Sequence, residues 1–323
     1  MEYRRLGRTG LKVSTVCLGT MQFGWSTGEE NAHRIMSEAI DLGCNFFDTA
    51  DVYSRWADNN PGGVAEQIIG NWLQKADVRR EDLIIATKVR GQMSDAVTDQ
   101  GLSRHHIMNA VENSLRRLQT DYIDLYQVHS YDEETPLEET LRALDDLVRM
   151  GKVRYVGASN YPAWRLAKAL WVSDVHDLVR YETLQPHYNL VHRAEFEREL
   201  QPLCLDQEIG AIPYSPLAAG FLTGKYRRDQ ALPESERAGG IQRRYMNDRG
   251  FDAVEKLETV AEAHGATIPQ TAIAWVLANP AVDAAIIGAN SVEQLKDTIK
   301  GAEMVLSEAE KEALDEATAW QED

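Results

Sequence analysis

Four residues in the first 130 carry side chains that together suit proton transfer: Asp48, Tyr53, Lys88 and His129. Asp48 and Tyr53 stand in FFDTADVY, residues 46–53, where an apolar run typical of a buried strand ends in an acid with a phenol just beyond it. An Asp and a Thr at such a point also suit a capped turn; the sharper reading is an acid–phenol pair at the mouth of an active site. A phenol with its ordinary pKa near 10 is a weak acid at neutral pH. Lys88 beside it would favour the phenolate and lower that value. Asp48 could keep Lys88 charged and aimed, and His129, in YQVHS, could orient a substrate oxygen. Taken singly, Lys88 also reads as a solvated strand end and His129 as a structural histidine. Together the four suit protonation of a developing alkoxide, and such chemistry needs a hydride source.

The elements that would bring them together alternate along the chain. Apolar runs at 14–19, 44–48, 83–88, 122–129, 153–159, 182–185, 211–215 and 284–288 read as strands. Helical periodicity lies between them, at 31–42, 64–74, 105–118, 137–150, 162–171, 195–207, 251–264 with 269–278, and 292–300. Pro162 and Pro269 fit first-turn positions and Ser291 an N-cap. Eight strand–helix units predict an α/β fold, a (β/α)8 TIM barrel, rather than a doubly wound sheet. YRRLGRTGLKVS predicts an N-terminal β-hairpin turning at Thr9-Gly10, and Ser307 with Glu310 a capped extra C-terminal helix. One domain spanning 1–323 is expected. The longest irregular stretch, 220–250, has the length of a lid or binding loop.

Barrel chemistry sits at the C-terminal strand ends. Here those ends read Gly19-Thr20, Asp48, Lys88, His129, Ser159-Asn160, Gln185, Tyr214-Ser215 and Gly288, nearly all polar or glycine. No GxGxxG occurs, and no tyrosine is followed by lysine four residues on, so a nicotinamide cofactor would have to lie across the mouth. The three cysteines, Cys17, Cys44 and Cys204, form no CxxC pair, and His105-His106 lacks a carboxylate ligand pattern, so no metal site is expected. A net charge of −17 disfavours nucleic acid as a partner. Neither a secretory h-region nor a run long enough to span a membrane is visible, which points to a cytoplasmic protein.

The sequence resembles the aldo-keto reductase family, specifically the bacterial general aldo/keto reductase group related to potassium-channel β-subunit-like proteins. The resemblance rests on LGTMQFG (18–24), FFDTADVY, ATKV (86–89), DYIDLYQVH (121–129), GKVRYVGASNY (151–161), YSPLAAGFLTGKY (214–226) and IIGANSVEQL (286–295). It implies an NADPH-dependent reductase of aldehydes or ketones, an oxidoreductase acting on a small-molecule carbonyl substrate. Carried over by motif, Tyr53 is the general acid, Lys88 and Asp48 tune it, and His129 orients the carbonyl. Ser159, Asn160 and Gln185 would hold the nicotinamide carboxamide, and Tyr214 would stack on its ring. Gly19, Thr20, Met21, Asp48 and Ser215 join the cofactor contacts. Leu217, Gly220 and Lys225 fall at the pyrophosphate, and Gly288, Asn290, Gln294 and Asp297 at the adenosine half.

Two positions depart from the family pattern. Many relatives carry an arginine for the 2′-phosphate where this chain has Asn290, and an asparagine where it has Thr298. Losing the cation removes a contact worth about 1.5–3 kcal/mol, which leaves NADH open. Lys296, or Arg227, Arg228, Arg243 and Arg244, could restore the charge, and those arginines read equally as solvated surface. Trp25 and Trp56 are candidate substrate contacts, with the loop 90–103 bordering the pocket and Pro61-Gly62-Gly63 a tight turn or a loop facing the mouth. Two rivals stand beside the reductase. One is a redox-sensing nicotinamide-binding module with slow or no turnover; the other is a cofactor-free barrel lyase or hydrolase.

Overall fold

A computed structural model describes residues 1–57, 60–228, 230–233 and 238–320. A hairpin comes first: β1 (Tyr3–Arg5) pairs antiparallel with β2 (Lys12–Ser14), turning through Leu6–Leu11 contacts that include Thr9. Then come β3 (Val16–Gly19), α1 (Glu29–Asp41), β4 (Phe46–Asp48), α2 (Val64–Leu73), β5 (Ile84–Val89), α3 (Arg104–Leu118), β6 (Ile123–Val128) and α4 (Leu137–Arg149). They are followed by β7 (Val153–Ser159), α5 (Ala163–His176), β8 (Thr183–Gln185), α6 (Gln201–Gln207) and β9 (Gly210–Ala211). The chain ends with α7 (Ala238–Tyr245), α8 (Asp248–His264), α9 (Ile268–Leu277), β10 (Ala285–Ile287), α10 (Val292–Thr298) and α11 (Glu308–Ala317). Strands β3 to β10 form one eight-stranded parallel sheet in the order β10-β3-β4-β5-β6-β7-β8-β9. Asp283 N donates to Ala211 O at 2.9 Å and Ile286 N to Pro213 O at 3.0 Å, which joins the two ends into the expected barrel.

Strand alternation sorts adjacent residues into two cores. Phe46, Ile84, Ala86 and Leu125 belong to the cluster inside the barrel; Phe47, Ile85 and Tyr126 belong to the one between strands and helices. Continuing the inward series two residues from Phe46, Ala86 and Leu125 gives Asp48, Lys88 and Gln127. The same periodicity that fills the barrel therefore aims three polar side chains at its axis. Leu6 and Val13 of the hairpin pack into the foot of the inner cluster. Gly7 makes this close approach possible: at its φ of 53°, an added Cβ would stand 2.6 Å from Glu182 O.

The local expectations need four amendments. The seventh strand shrinks to Gly210–Ala211, since Pro213 has no N–H to extend the ladder. Pro162 is the N-cap of α5, in extended backbone, rather than a first-turn residue; Pro269 does lie in the first turn of α9. The helix expected over 195–207 opens with a five-residue π-helical segment, Phe196–Leu200. The stretch 220–250 is only partly irregular: Ala218–Thr223 is a short helical turn and Ala238–Tyr245 is α7, while residues 229 and 234–237 lie outside the described residues. It is also anchored, with Arg227 bonded twice to Glu258, at 2.7 and 2.5 Å, and Arg228 to Asp248 and Asp252. Ser291 caps α10, and Ser307 and Glu310 form the capping box of α11.

Candidate active site

The C-terminal strand ends surround a cavity of about 760 Å³. Gly19, Thr20, Met21, Trp25, Asp48, Tyr53, His129, Ser159, Asn160, Gln185, Tyr214, Ser215, Leu217, Gly220, Lys225, Gly288, Asn290, Gln294 and Asp297 all line it. Lys88 lies behind this wall, fully buried. Trp56 stands on the rim, 49% exposed, beside a separate open groove that Met93, Ser94, Asp95 and Pro61 share. The loop 90–103 thus meets the outer side of Trp56 and does not line the main cavity.

Lys88 Nζ donates to Asp48 Oδ1 at 2.5 Å, to Thr49 O at 2.9 Å and to the Tyr53 hydroxyl at 2.8 Å. An ammonium has three N–H donors, and all are used. Burial alone would drive the lysine toward its neutral form, but the Asp48 carboxylate and Tyr53 outweigh it and hold the pKa above the ordinary value. The other Asp48 oxygen, Oδ2, accepts from Gln185 Nε2 at 2.9 Å and Gln127 Nε2 at 3.1 Å. Both carboxylate oxygens are therefore satisfied, as a buried charge requires. The sequence reading did not single out Gln127. Its signal was there: it shares the inward face of β6 with Leu125, a polar residue in an otherwise apolar alternation.

The loop carrying Tyr53 is pinned at both ends. Asp51 N donates to Lys88 O, and Ser54, held at φ 70°, donates its hydroxyl to Phe23 O at 2.5 Å. The phenol departs from the expected direction. Burial raises its pKa, Lys88 opposes the shift and Asp48 adds to it, so the net change is upward and the phenol stays protonated through neutral pH. Desolvating a phenolate beside a carboxylate outweighs the one cation that favours it. His129 packs edge-to-face on Tyr53, with centroids 5.8 Å apart. Burial, then Lys88 and Arg90, push its pKa down to about 3, so at neutral pH it is an uncharged imidazole with one N–H to offer.

Across the cavity, Ser159 donates to Gln185 O at 2.9 Å, and Asn160, at φ 55°, donates to His129 O at 2.9 Å and Ser159 Oγ at 3.1 Å. Tyr214 donates to Asn160 Oδ1 at 2.9 Å, and its ring lies nearly parallel to His187, at 8° and 5.1 Å. A nicotinamide nucleotide fits these features. Gln185 Oε1 has no partner among the described residues and Asn160 Oδ1 has spare acceptor capacity, as a carboxamide N–H would need. Ser215, Ala218, Ala219 and Gly220 all take left-handed backbone along the cavity, the kind of turn whose amides cradle phosphate. Lys225 Nζ comes within 3.7 Å of where a Cβ on Gly220 would stand, and among the described residues Lys225 makes no ion pair. Gln22, also not singled out, ties the two walls by donating to Gly19 O at 3.2 Å and Ala289 O at 2.9 Å.

At the far end, Asn290 Oδ1 accepts from Thr27 at 3.0 Å and Ser26 at 3.3 Å, and Asp297 accepts from Gln270 at 2.7 Å. Of the cations that could replace the missing arginine, Lys296 pairs with Glu38 at 3.0 Å, and Arg227 and Arg228 are committed to α8. Arg243 and Arg244 are exposed on α7. Trp25 and Trp56 meet edge-on at 5.7 Å, and Trp56 meets Tyr53 at 6.2 Å, forming an aromatic rim beside the phenol.

Residues 15–319 match the aldo/keto reductase family. The chain is 43% identical to the uncharacterized oxidoreductase YrpG of Bacillus subtilis (strain 168), over 95% of this chain and 92% of that protein. It is 36% identical to a probable voltage-gated potassium channel subunit beta of Arabidopsis thaliana, over 94% and 92% of the two chains. To versiconal hemiacetal acetate reductase of Aspergillus parasiticus it is 34% identical, over 98% and 96%.

The buried pair generates a stability prediction. Asp48→Asn removes the charge opposite Lys88 and should lower unfolding free energy by about 3–5 kcal/mol, read from urea denaturation. A loss below about 1 kcal/mol would mean the ammonium does not depend on that carboxylate.

Proposed function

The chain belongs to the aldo/keto reductase family, and from that premise we propose that it reduces aldehydes or ketones to alcohols with NADPH, Tyr53 acting as the general acid. The observation that carries this reading is the Lys88 ammonium, fully buried and bonded at once to Asp48 and to the Tyr53 hydroxyl. A nicotinamide cofactor, when bound, supplies the hydride. Tyr53 gives its proton to the carbonyl oxygen as that atom becomes an alkoxide, and Lys88 stabilises the phenolate left behind. Asp48 keeps Lys88 charged and pointed. His129, uncharged, donates its N–H to the carbonyl oxygen and fixes its orientation. Ser159, Asn160 and Gln185 would hold the carboxamide, Tyr214 would cover the ring face, and Ser215, Leu217, Gly220 and Lys225 would hold the pyrophosphate. Gly288, Asn290, Gln294 and Asp297 would hold the adenosine half. Trp25 and Trp56 flank the substrate at the rim beside Tyr53.

The second reading, a nicotinamide-binding module with slow turnover, draws on the likeness to a protein named a channel subunit. It retains the same tetrad and differs in kinetics: cofactor leaves slowly, and no carbonyl is reduced at a useful rate.

Three outcomes are expected. Tyr53→Phe should keep cofactor affinity, measured by fluorescence titration, while turnover followed at 340 nm falls at least about a hundredfold; equal turnover removes Tyr53 from its role. Reductive kcat/KM should stay flat from about pH 5.5 to 8 and fall only near or above the ordinary tyrosine range of about 10. The acid must be protonated, its pKa is shifted upward, and His129, at about 3, does not titrate in that window. A limb near pH 6.5 would contradict the uncharged His129. Asn290→Arg should shift the Kd ratio toward NADPH over NADH by about tenfold or more, and an unchanged ratio would locate 2′-phosphate recognition elsewhere.

A further inference from the structure

Tyr214, the residue proposed to cover the nicotinamide ring, is itself backed by a second ring. Tyr214 lines the cavity, whereas His187 does not. Their backbones pair in a parallel bridge just beyond β8 and β9, with Tyr214 N donating to Pro186 O at 3.0 Å. Bridge partners carry their side chains side by side. The imidazole therefore lies flat against the phenol ring, 8° from parallel with centroids 5.1 Å apart. His192 stacks on His187 in turn, at 4.0 Å and 24°.

Hydrogen bonds fix how the imidazole is turned. Asn189, fully buried, gives one amide hydrogen to Ser215 O at 3.0 Å and the other to His187 Nε2 at 3.3 Å, and its oxygen accepts from Val191 N at 3.1 Å. The two main-chain partners decide which end of that amide is nitrogen, so His187 Nε2 is the accepting atom and the ring proton sits on Nδ1. The Tyr245 hydroxyl, at the end of α7, also stands 3.3 Å from Nε2. Burial, then His192 and Arg244, push the pKa of His187 down to about 3, so the ring is uncharged at neutral pH. An uncharged ring can stand behind the cationic nicotinamide of an oxidised cofactor without repelling it.

We propose that His187 is a positioning residue for the nicotinamide half of the cofactor: it holds the Tyr214 ring as a flat wall that is in place before the nicotinamide arrives. This rests on the reading that Tyr214 covers the nicotinamide ring. A phenol ring left free turns about two side-chain bonds, and a ligand that needs it still must pay for stopping it. The bond from the Tyr214 hydroxyl to Asn160 Oδ1, at 2.9 Å, holds the tip of the side chain, and the imidazole behind it holds the plane. His187 acts only through Tyr214. Asn189 keeps its bonds to Ser215 O and Val191 N without the imidazole, so the turn at the pyrophosphate does not depend on His187.

Titration calorimetry with two ligands tests this: NADPH, and 2′-phospho-ADP-ribose, which is the same molecule without its nicotinamide. His187→Ala should weaken NADPH about five- to tenfold, the scale of one aromatic stack, and leave the fragment within about twofold. His187→Leu fills the space but offers no flat face, and should give the same selective loss; either variant serves if the other does not fold. Tyr214→Ala should show a selective loss at least as large. His187→Ala combined with Tyr214→Ala should lose no more than Tyr214→Ala alone, because one residue works through the other. Equal losses for both ligands, additive losses in the double variant, or unchanged NADPH affinity in the His187 variants each overturn the proposal. If Tyr214→Ala spares NADPH, the reading of Tyr214 falls and the proposal with it. If Tyr214→Ala is selective and the His187 variants are not, the proposal falls alone.

Discussion

An ammonium sealed from water sheds its proton unless its surroundings replace what water gave it. Lys88 is held on all three N–H bonds, by a carboxylate, a main-chain carbonyl and a phenol. The carboxylate is held in turn: Asp48 takes Lys88 on one oxygen and two amides, from Gln127 and Gln185, on the other. These contacts knit β4, β5, β6 and β8 across the barrel axis at the level where the packed interior gives way to the cavity. Breaking such a buried ion pair costs about 3–5 kcal/mol, comparable to much of a domain's net stability. The centre that gives the mouth its chemistry is therefore also one of the structural ties of the barrel.

The tie depends on register. Gly19, Asp48 and Ala86 are ladder partners in sequence, as are Lys88 and Gln127. A slip of one residue in any of these strands would exchange the inward set for the outward one and bury Phe47 or Tyr126 where the polar groups now meet. The long apolar faces beneath prevent the slip. Phe46, Ile84 and Leu125 fill the inside, while Phe47, Ile85 and Tyr126 pack against the helices. Hydrophobic burial, which has no direction of its own, thereby aims hydrogen bonds that are strongly directional.

Much of this was legible in the chain. The strand–helix alternation gave the barrel, because period-two and period-3.6 patterns are local properties of sequence. The polar strand ends gave the cavity wall, because inward alternation is fixed once a strand is identified. What was not legible depended on distance between segments. That Gln185 spends its amide on Asp48, that Gln22 ties Gly19 at the end of β3 to Ala289 just beyond β10, and that Arg227 and Arg228 bind α8 are all contacts between residues far apart in the chain. The direction of the Tyr53 shift was also misread, since a charge partner can be read from sequence whereas the extent of dehydration cannot. The irregular stretch after residue 220 looked structureless because its glycines and arginines mask α7, whose buried face is little more than Ile241 and Tyr245.

The double engagement of Asp48 also bears on the order of events. One of its oxygens answers to Gln185, on the cavity wall, and the other to Lys88, which governs the phenol. Any occupant that draws the Gln185 amide toward itself must loosen or tighten the same carboxylate that sets the lysine. In the proposed mechanism, two sites that look separate, one for holding and one for proton transfer, share a single side chain as their relay. In such an arrangement sequence in time need not come from a moving lid: occupancy of one half of the cavity is felt electrically by the other half through a group that barely moves.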